Sequence, residues 1–485
     1  MLTRTSQYLK EANLIGGEWI QADSGEMIDV VNPATGQRIG GVPKSGAAET
    51  RRAIDAAHAA FGEWRRTSAA HRAKLMRDLH DAIMDNQEAL AELLTMEQGK
   101  PLTESKGEVA MSASYVLWYA EEGRRVYGDT IPSSWPERRM MVIRQPVGVV
   151  AAITPWNFPS SMLARKIGPA LATGCTSVVK PATATPYSGI AWGVLAEEVG
   201  FPKGVINVVT GSSGEIGGEL TSNEKVRKIT FTGSTEVGRK LLAQSADTVK
   251  KVSMELGGNA PFLVFDDADL ERAVDGAIAA KFRNAGQTCV CTNRFLVQAG
   301  IHDDFVRLLA EKAKAMKVGD GLKEGTVQGP LIDEDQLKKV EELVADAKEK
   351  GGKVETGGQR HSLGGTFYEP TVISGATSKM RFTQEEIFGP VAPVYKFEKE
   401  EEGIALANDT IFGLAAYFYT KDLGRAYRVM EGLEYGLVGV NEGIITAVEA
   451  PFGGLKQSGL GKEGGHQGIE EYLESKYVCI GGLGF

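Results

Sequence analysis

VGVVAAITP (147–155), SVVKP (177–181), VINVVTG (205–211) and KITFTG (228–233) are the segments whose reading decides the fold. Each is a short β-rich run closed by Pro or Gly. Helical stretches fall between and after them, most clearly 187–199 and 235–246. Strand and helix alternating at this spacing produce right-handed βαβ units and a mostly parallel sheet. A second alternation starts at PFLVF (261–265), passes through FLVQ (295–298) and runs to position 440. Between the two, KVSMELGGN (251–259) reads as a strand ending at Gly257-Gly258, a junction where paired glycines allow a sharp chain reversal. Ahead of them, ETRRAIDAAHAAFGEW (49–64) and HRAKLMRDLHDAIMDNQEALAELL (71–94) repeat apolar positions at three- and four-residue steps, the pattern of helices packed on a sheet. The chain is therefore expected to be α/β, with two α/β domains. The 131–146 stretch and EYLESKYVCIGGLGF (471–485) hold strand-like pieces outside both alternations, which suits an arm that pairs between subunits.

The 485 residues are 42% hydrophobic and 24% charged, a composition that excludes a disordered chain and a membrane protein. The opening MLTRTSQYLKEANLIGGEWI lacks an apolar signal core, and no apolar run approaches the roughly 18 residues that cross a bilayer. A cytoplasmic protein is expected. Cys175, Cys289, Cys291 and Cys479 make no disulfide framework in so long a chain, which fits a reducing compartment. A net charge of −9 argues against a nucleic-acid partner, because phosphate backbones are held by excess Lys and Arg. No metal site is assigned.

FRNAGQTCVCTNR (282–294) sets Cys289 among small and polar residues. A structural cysteine behaves as a small hydrophobe, whereas a nucleophile must be approachable and held as thiolate; on this segment alone both readings stand. KITFTGSTEVGRK (228–240) is a strand, a glycine turn and a helix start, which aims backbone N–H groups at a phosphate or is a plain connecting turn. Arg239 and Lys240 after Gly238 break the Walker pattern, which argues against NTP hydrolysis. Gly459, Gly461 and Gly464 fit G-x-G-x-x-G, but with no leading strand and no enclosing βαβ unit the match is set aside. Glu255 closes a strand where ligands bind in open α/β sheets, as a general base or as a structural acceptor or junction salt bridge. Asn157 in PWNFP (155–159) is stiffened by two prolines, either presenting its amide in a fixed direction or forming an Asx turn.

PWNFP, VVKPATATP (178–186), FTGSTEVG (231–238), ELGG (255–258), GQTC (286–289), QEEIFGP (384–390) and APFGGLKQSGLG (450–461), in that order, resemble the aldehyde dehydrogenase superfamily. RKIGPAL (165–171), FRNAGQTCVC (282–291) and EYLESKYVCIGG (471–482) are most similar to its succinate-semialdehyde dehydrogenases. The resemblance implies two Rossmann-like α/β domains with a small β oligomerisation arm. Residues 1–130 and 147–256 would form the dinucleotide-binding domain, 257–455 the catalytic domain, and 131–146 with 470–485 the arm of a homodimer or homotetramer. It further implies Cys289 as nucleophile, Asn157 and the Cys289 N–H as oxyanion donors, and Glu255 as the base that activates water for thioester hydrolysis. NADP or NAD would be held by Trp156, Lys180, Thr183, Gly233, Ser234, Glu386 and Phe388. Glu463 matches a glutamate assigned to proton exit, with a solvated surface role as the alternative.

The resemblance carries two expectations about choice, and the Cys289–Cys291 spacing a third about control, with Cys291 as a simply packed small residue the alternative. NAD-preferring relatives often have a glutamate where this chain has Thr183, so NADP is expected to serve at least as well as NAD. Arg165 and Arg283 match the two arginines that bind a substrate carboxylate, with Thr446 in place of the usual serine. The substrate is then a short aldehyde with a distal carboxylate, succinic semialdehyde first and glutaric semialdehyde next. Cys291, two residues beyond Cys289 in a segment read as extended, projects to the same side and can form a reversible disulfide with it. Two other functions stay open: a catalytically silent relative, which has no need of both Cys289 and Glu255, and an enzyme that passes its thioester to CoA or phosphate.

Overall fold

Val149–Ile153 is buried along its whole length and pairs in parallel with Thr176–Lys180 on one side and Val226–Thr232 on the other, as a run of small and β-branched residues must when both sheet faces are covered. In this computed structural model, which describes residues 5–483, the eight-stranded sheet built around it runs Gly459–Leu460, Lys251–Glu255, Val226–Thr232, Val149–Ile153, Thr176–Lys180, Ile206–Val208, Asn13–Ile15, Glu18–Ile20. Residues 1–4 and 484–485, the ends of the expected first domain and of the expected arm, lie outside the described residues. The chain winds outward from Val149–Ile153 to Ile206–Val208, then returns to the other side of its starting strand. That reversal opens a crevice at the carboxyl ends of the strands.

Pro159–Thr173 covers this sheet and is buried at every position. Pro159 starts it where a missing N–H leaves nothing unpaired, and Gly174 ends it in the left-handed region at φ 95°. Leu102–Glu122 packs across it, and the two share an apolar cluster with the helices before them. The second sheet has seven strands in the order Lys353–Thr356, Thr371–Ser374, Val391–Phe397, Thr292–Gln298, Ala260–Val264, Ala415–Tyr419, Leu437–Val440, around its own apolar clusters. The architecture is thus α/β with two Rossmann-like halves.

The halves meet edge to edge. Glu255 ends a strand of the first sheet and Ala260 begins one of the second, so the carboxyl edge of one faces the amino edge of the other. The chain crosses back after Val440, and Gly459–Leu460 then pairs antiparallel with Met254 and Glu255. Gly459 lies in a two-residue antiparallel strand preceded by a short 3-10 turn, so no strand leads into the glycines and no βαβ unit encloses them. Ser458 pins the crossing: its Oγ accepts the N–H of Gly413 at 2.9 Å and donates to the carbonyl of Gly257 at 2.7 Å. A separate three-stranded sheet joins Leu473–Ile480, Arg139–Pro146 and Asp129–Ile131, beginning two residues before the expected arm.

Candidate active site

Parallel register sets Ile153 level with Lys180 and Phe231, and Thr232 level with Glu255. The residues that follow these strand ends, Trp156, Asn157, Gly233 and Ser234, therefore gather at one edge. Cys289 comes from the opposite half, in a turn just ahead of Thr292–Gln298. Gly257 and Gly258 let the two sides approach: a Cβ on Gly258 would lie 2.5 Å from the Cys289 carbonyl oxygen, and one on Gly257 would lie 2.9 Å from the Glu386 carboxylate. Neither has a left-handed φ. The pair serves close approach, not the sharp reversal expected from sequence.

The Cys289 turn is built on strain. Asn284 and Ala285 have φ of 52° and 53°, a region that costs a non-glycine residue about 1–3 kcal/mol and persists only where neighbours fix it. Here the Asn284 N–H donates to Glu104 at 2.9 Å and its side-chain amide to the Asn157 carbonyl at 2.9 Å. Asn157 forms no Asx turn; its Nδ2 donates to the Gln287 carbonyl at 2.9 Å, leaving a second amide hydrogen. The Cys289 N–H meets no protein acceptor among the described residues. Sequence reasoning missed the support beneath Asn157. Lys100 donates to its carbonyl at 2.6 Å and pairs with Glu108 at 2.6 Å, and Glu108 takes the N–H groups of Ser160 and Ser161.

Cys289, with Phe158 and Met162, lines both of two adjoining cavities. The first, of ≈ 220 Å³, also touches Trp156, Gly233, Ser234, Glu386 and Phe388. Glu386 accepts the Gly258 N–H at 3.1 Å, and burial pushes its carboxyl up to about 7. Phe388, at φ 54°, stands edge-on to Trp156 with ring centres 5.5 Å apart. Ser234 caps Thr235–Ser245, its Oγ accepting the Val237 N–H at 3.3 Å, and the Gly233 N–H donates to the Glu255 carbonyl at 3.0 Å. Lys180 is buried with one contact, a 3.2 Å donation to the Pro181 carbonyl, and burial pushes it down to about 8. Thr183 lies half-buried after it. Neither Lys180 nor Thr183 lines either cavity.

The second cavity, of ≈ 280 Å³, is walled by Met111, Val290 and Phe452 among others, and receives Arg165, Arg283 and Thr446. Arg165 is 3% exposed, its Nε has no partner, and its guanidinium sits 4.1 Å from the Phe452 ring centre and 5.1 Å from that of Tyr115. Arg283 lies 5.5 Å from the Phe158 ring centre. Neither guanidinium forms an ion pair among the described residues; Arg165 is buried and Arg283 half-buried. Glu104 and Glu108 share the same wall.

Protonation and placement correct several expectations. Burial pushes the Cys289 thiol up to about 12, with Glu386 and Glu255 adding to this and Arg165 and Arg283 opposing, so the thiolate is not the resting form. Glu255 lines neither cavity, and both its carboxyl oxygens are buried without a partner, which excludes a structural acceptor or junction salt bridge. Burial holds it well above the usual carboxyl range, Glu463 adding and Lys166 and Arg165 opposing. Glu463 is no solvated group: it is 2% exposed and pairs with Lys166 at 2.5 Å. Cys291 does not follow Cys289 along an extended strand. Its N–H closes a turn onto Thr288 at 2.9 Å, and its thiol donates to the carbonyls of Lys281 at 3.2 Å and Thr292 at 3.5 Å, outside both cavities.

Residues 19–478 match the aldehyde dehydrogenase family. The chain is 56% identical over 483 residues to a glutarate-semialdehyde dehydrogenase of Pseudomonas aeruginosa, covering 100% of both. It is also 56% identical over 481 residues to an NADP(+) succinate-semialdehyde dehydrogenase of Escherichia coli, covering 99% and 100%. The crystal structure of a succinate-semialdehyde dehydrogenase from Burkholderia pseudomallei superposes with a TM-score of 0.97 at 56% identity, covering 98% of each chain. A thiol at the meeting of two cavities, seven motifs in order and matches of this extent lead to one conclusion: the chain belongs to the aldehyde dehydrogenase family.

Proposed function

We propose that this aldehyde dehydrogenase oxidises a short aldehyde bearing a distal carboxylate, succinic semialdehyde first and glutaric semialdehyde next, with NADP used at least as well as NAD. The observation that carries the substrate reading is the pair of guanidiniums, Arg165 and Arg283, that form no ion pair among the described residues and line the pocket that opens on Cys289. Arg165 is buried with an unpartnered Nε, and even with Glu104 and Glu108 on the same wall an enclosed cation of this kind favours an anionic ligand. Thr446 adds a hydroxyl beside them. Cys289 Sγ attacks the carbonyl carbon once its proton is removed. The oxygen that becomes negative then faces the second Asn157 amide hydrogen and the Cys289 N–H. A bound nicotinamide would supply the hydride acceptor, and Cys289 would keep the acyl group as a thioester. Glu255 takes a proton from the water that hydrolyses it, after turning toward the cavity.

Lys180 and Thr183 would hold the adenosine ribose and its 2′-phosphate, Ser234 the pyrophosphate, and Glu386 and Phe388 the nicotinamide ribose, with Trp156 and Gly233 beside them. A hydroxyl at 183 donates to a phosphate oxygen where a carboxylate would repel it, and the similar Escherichia coli enzyme is described as NADP(+)-dependent. No described helix is long and apolar enough to cross a membrane, and a cytoplasmic enzyme is proposed. The three-stranded sheet leaves Tyr477 and Ile480 exposed, an unpaired surface suited to a homodimer or homotetramer. A monomer in sedimentation velocity would refute that.

The substrate and cofactor readings are tested together by kcat/KM for succinic semialdehyde and for butanal, each with NADP and NAD, in wild type and Arg283→Ala. The acid should lead by about 10-fold or more in wild type, since each charge-assisted bond contributes roughly 1.5–3 kcal/mol. Arg283→Ala should lose that lead selectively. Equal efficiencies in wild type would sink the carboxylate reading, and a strong preference for NAD would sink the NADP one.

A further inference from the structure

Glu104, Gly107, Glu108 and Met111 follow one another at helical spacing along Leu102–Glu122 and line the same wall of the substrate cavity. Of the four, Gly107 alone presents no side chain to the cavity. A glycine inside a helix is less favourable than alanine by roughly 0.5–1 kcal/mol, so it calls for a local reason. Some helical glycines here have one: a Cβ on Gly189 would lie 2.7 Å from Pro181, one on Gly193 2.9 Å from Leu14, and one on Gly168 3.0 Å from Tyr119, whereas Gly62, Gly214 and Gly218 face open space but line neither cavity. Gly107 has no left-handed φ, and a Cβ there would meet nothing within 4 Å. Backbone and packing both permit a side chain, and Gly107, though exposed, lines the cavity that also receives Arg165, Arg283 and Cys289.

Resting on the carboxylate-aldehyde reading above, we infer that Gly107 is a specificity-determining residue that keeps this wall bare, so that the pocket takes an anionic aldehyde longer than four carbons. Ile444 and Thr446, a residue with one methyl more than serine, line the same cavity. On the helix side, the bare backbone at Gly107 leaves room that a side chain would take. A distal carboxylate anchored at the arginines and an aldehyde carbon fixed at Cys289 leave a longer chain one way to fit, by bowing toward position 107.

The test measures kcat/KM for succinic and glutaric semialdehyde, with butanal as the uncharged control, in wild type, Gly107→Ala, Gly107→Val and Arg283→Ala. The glutaric-to-succinic ratio should fall stepwise with side-chain size, by about 10-fold or more in Gly107→Val, because one methylene in an apolar pocket is worth roughly 10–200-fold. Butanal, a four-carbon chain, should lose less than glutaric semialdehyde, and the melting temperature of Gly107→Ala should be no lower than that of wild type, which separates a filled pocket from a damaged fold. An unchanged ratio, or a parallel fall for all three aldehydes, overturns the inference. If that happens while Arg283→Ala still loses the acids selectively, Gly107 fails alone. If Arg283→Ala treats acids and butanal alike, the anion reading beneath it falls too.

Discussion

At the residue scale, the chemistry depends on groups whose charged forms their surroundings disfavour. Burial pushes the Cys289 thiol up to about 12 and holds the Glu255 carboxyl well above its ordinary range. Hydrolysis of the thioester then needs Glu255 to lose a proton, so turnover should rise with pH. Glu255→Gln, which cannot titrate, should lower kcat by about 10²–10⁴ and flatten that rise; a variant with wild-type kcat would assign the base elsewhere. Cys291 leads to the opposite expectation from its sequence position. Its thiol is engaged by two carbonyls behind the turn, and a disulfide to Cys289 would require that turn to open. Cys291→Ala should therefore lose activity to mild peroxide as fast as wild type, and protection by the substitution would show that the turn does open. Cys289, Asn157 and Lys180 could be picked out from sequence because each sits in a motif at a strand end. Lys100 could not: its role is one bond to a backbone carbonyl 57 positions away, and nothing in EQGKP announces it.

At the element scale, helices of the first half are tied down by buried carboxylates. Glu97 accepts the N–H groups of Tyr187 and Ser188, both at 2.8 Å, at the start of Pro186–Glu198, and burial pushes its carboxyl from 4.5 up to about 8. With the folded value above the unfolded one, its contribution to stability is full below the unfolded value and is lost as pH rises to the folded one. The melting temperature of wild type should fall between about pH 5 and about pH 8 more steeply than that of Glu97→Gln; parallel slopes would remove Glu97 from the account. Strands and helices of this half were readable because burial on both faces selects β-branched runs and helix starts carry caps such as Ser234. The Cys289 segment was misread as extended, since nothing in NAGQT marks Asn284 and Ala285 as left-handed. Contacts from Glu104 and Asn157, distant in sequence, impose it.

At the scale of the whole molecule, two α/β halves could be read from the two alternations, but not how they meet. The return of residues 456–460 to the first sheet depends on a two-strand pairing and on Ser458, neither of which has a periodic signature. Yet Ser458 pins the place where everything needed for turnover is assembled. Each half holds its own apolar clusters, while the seam between them is closed by glycines, single hydrogen bonds and a strained turn. Regions with few apolar contacts open first, well before global unfolding. In a urea titration, aldehyde oxidation should vanish at lower denaturant than the loss of far-UV ellipticity, and Ser458→Ala should widen the gap; coincident curves in both proteins would mean that the halves unfold as one. The hydroxyl of Ser458 would then be a fuse: the enzyme fails by parting at its seam while both of its cores are still folded and able to close again.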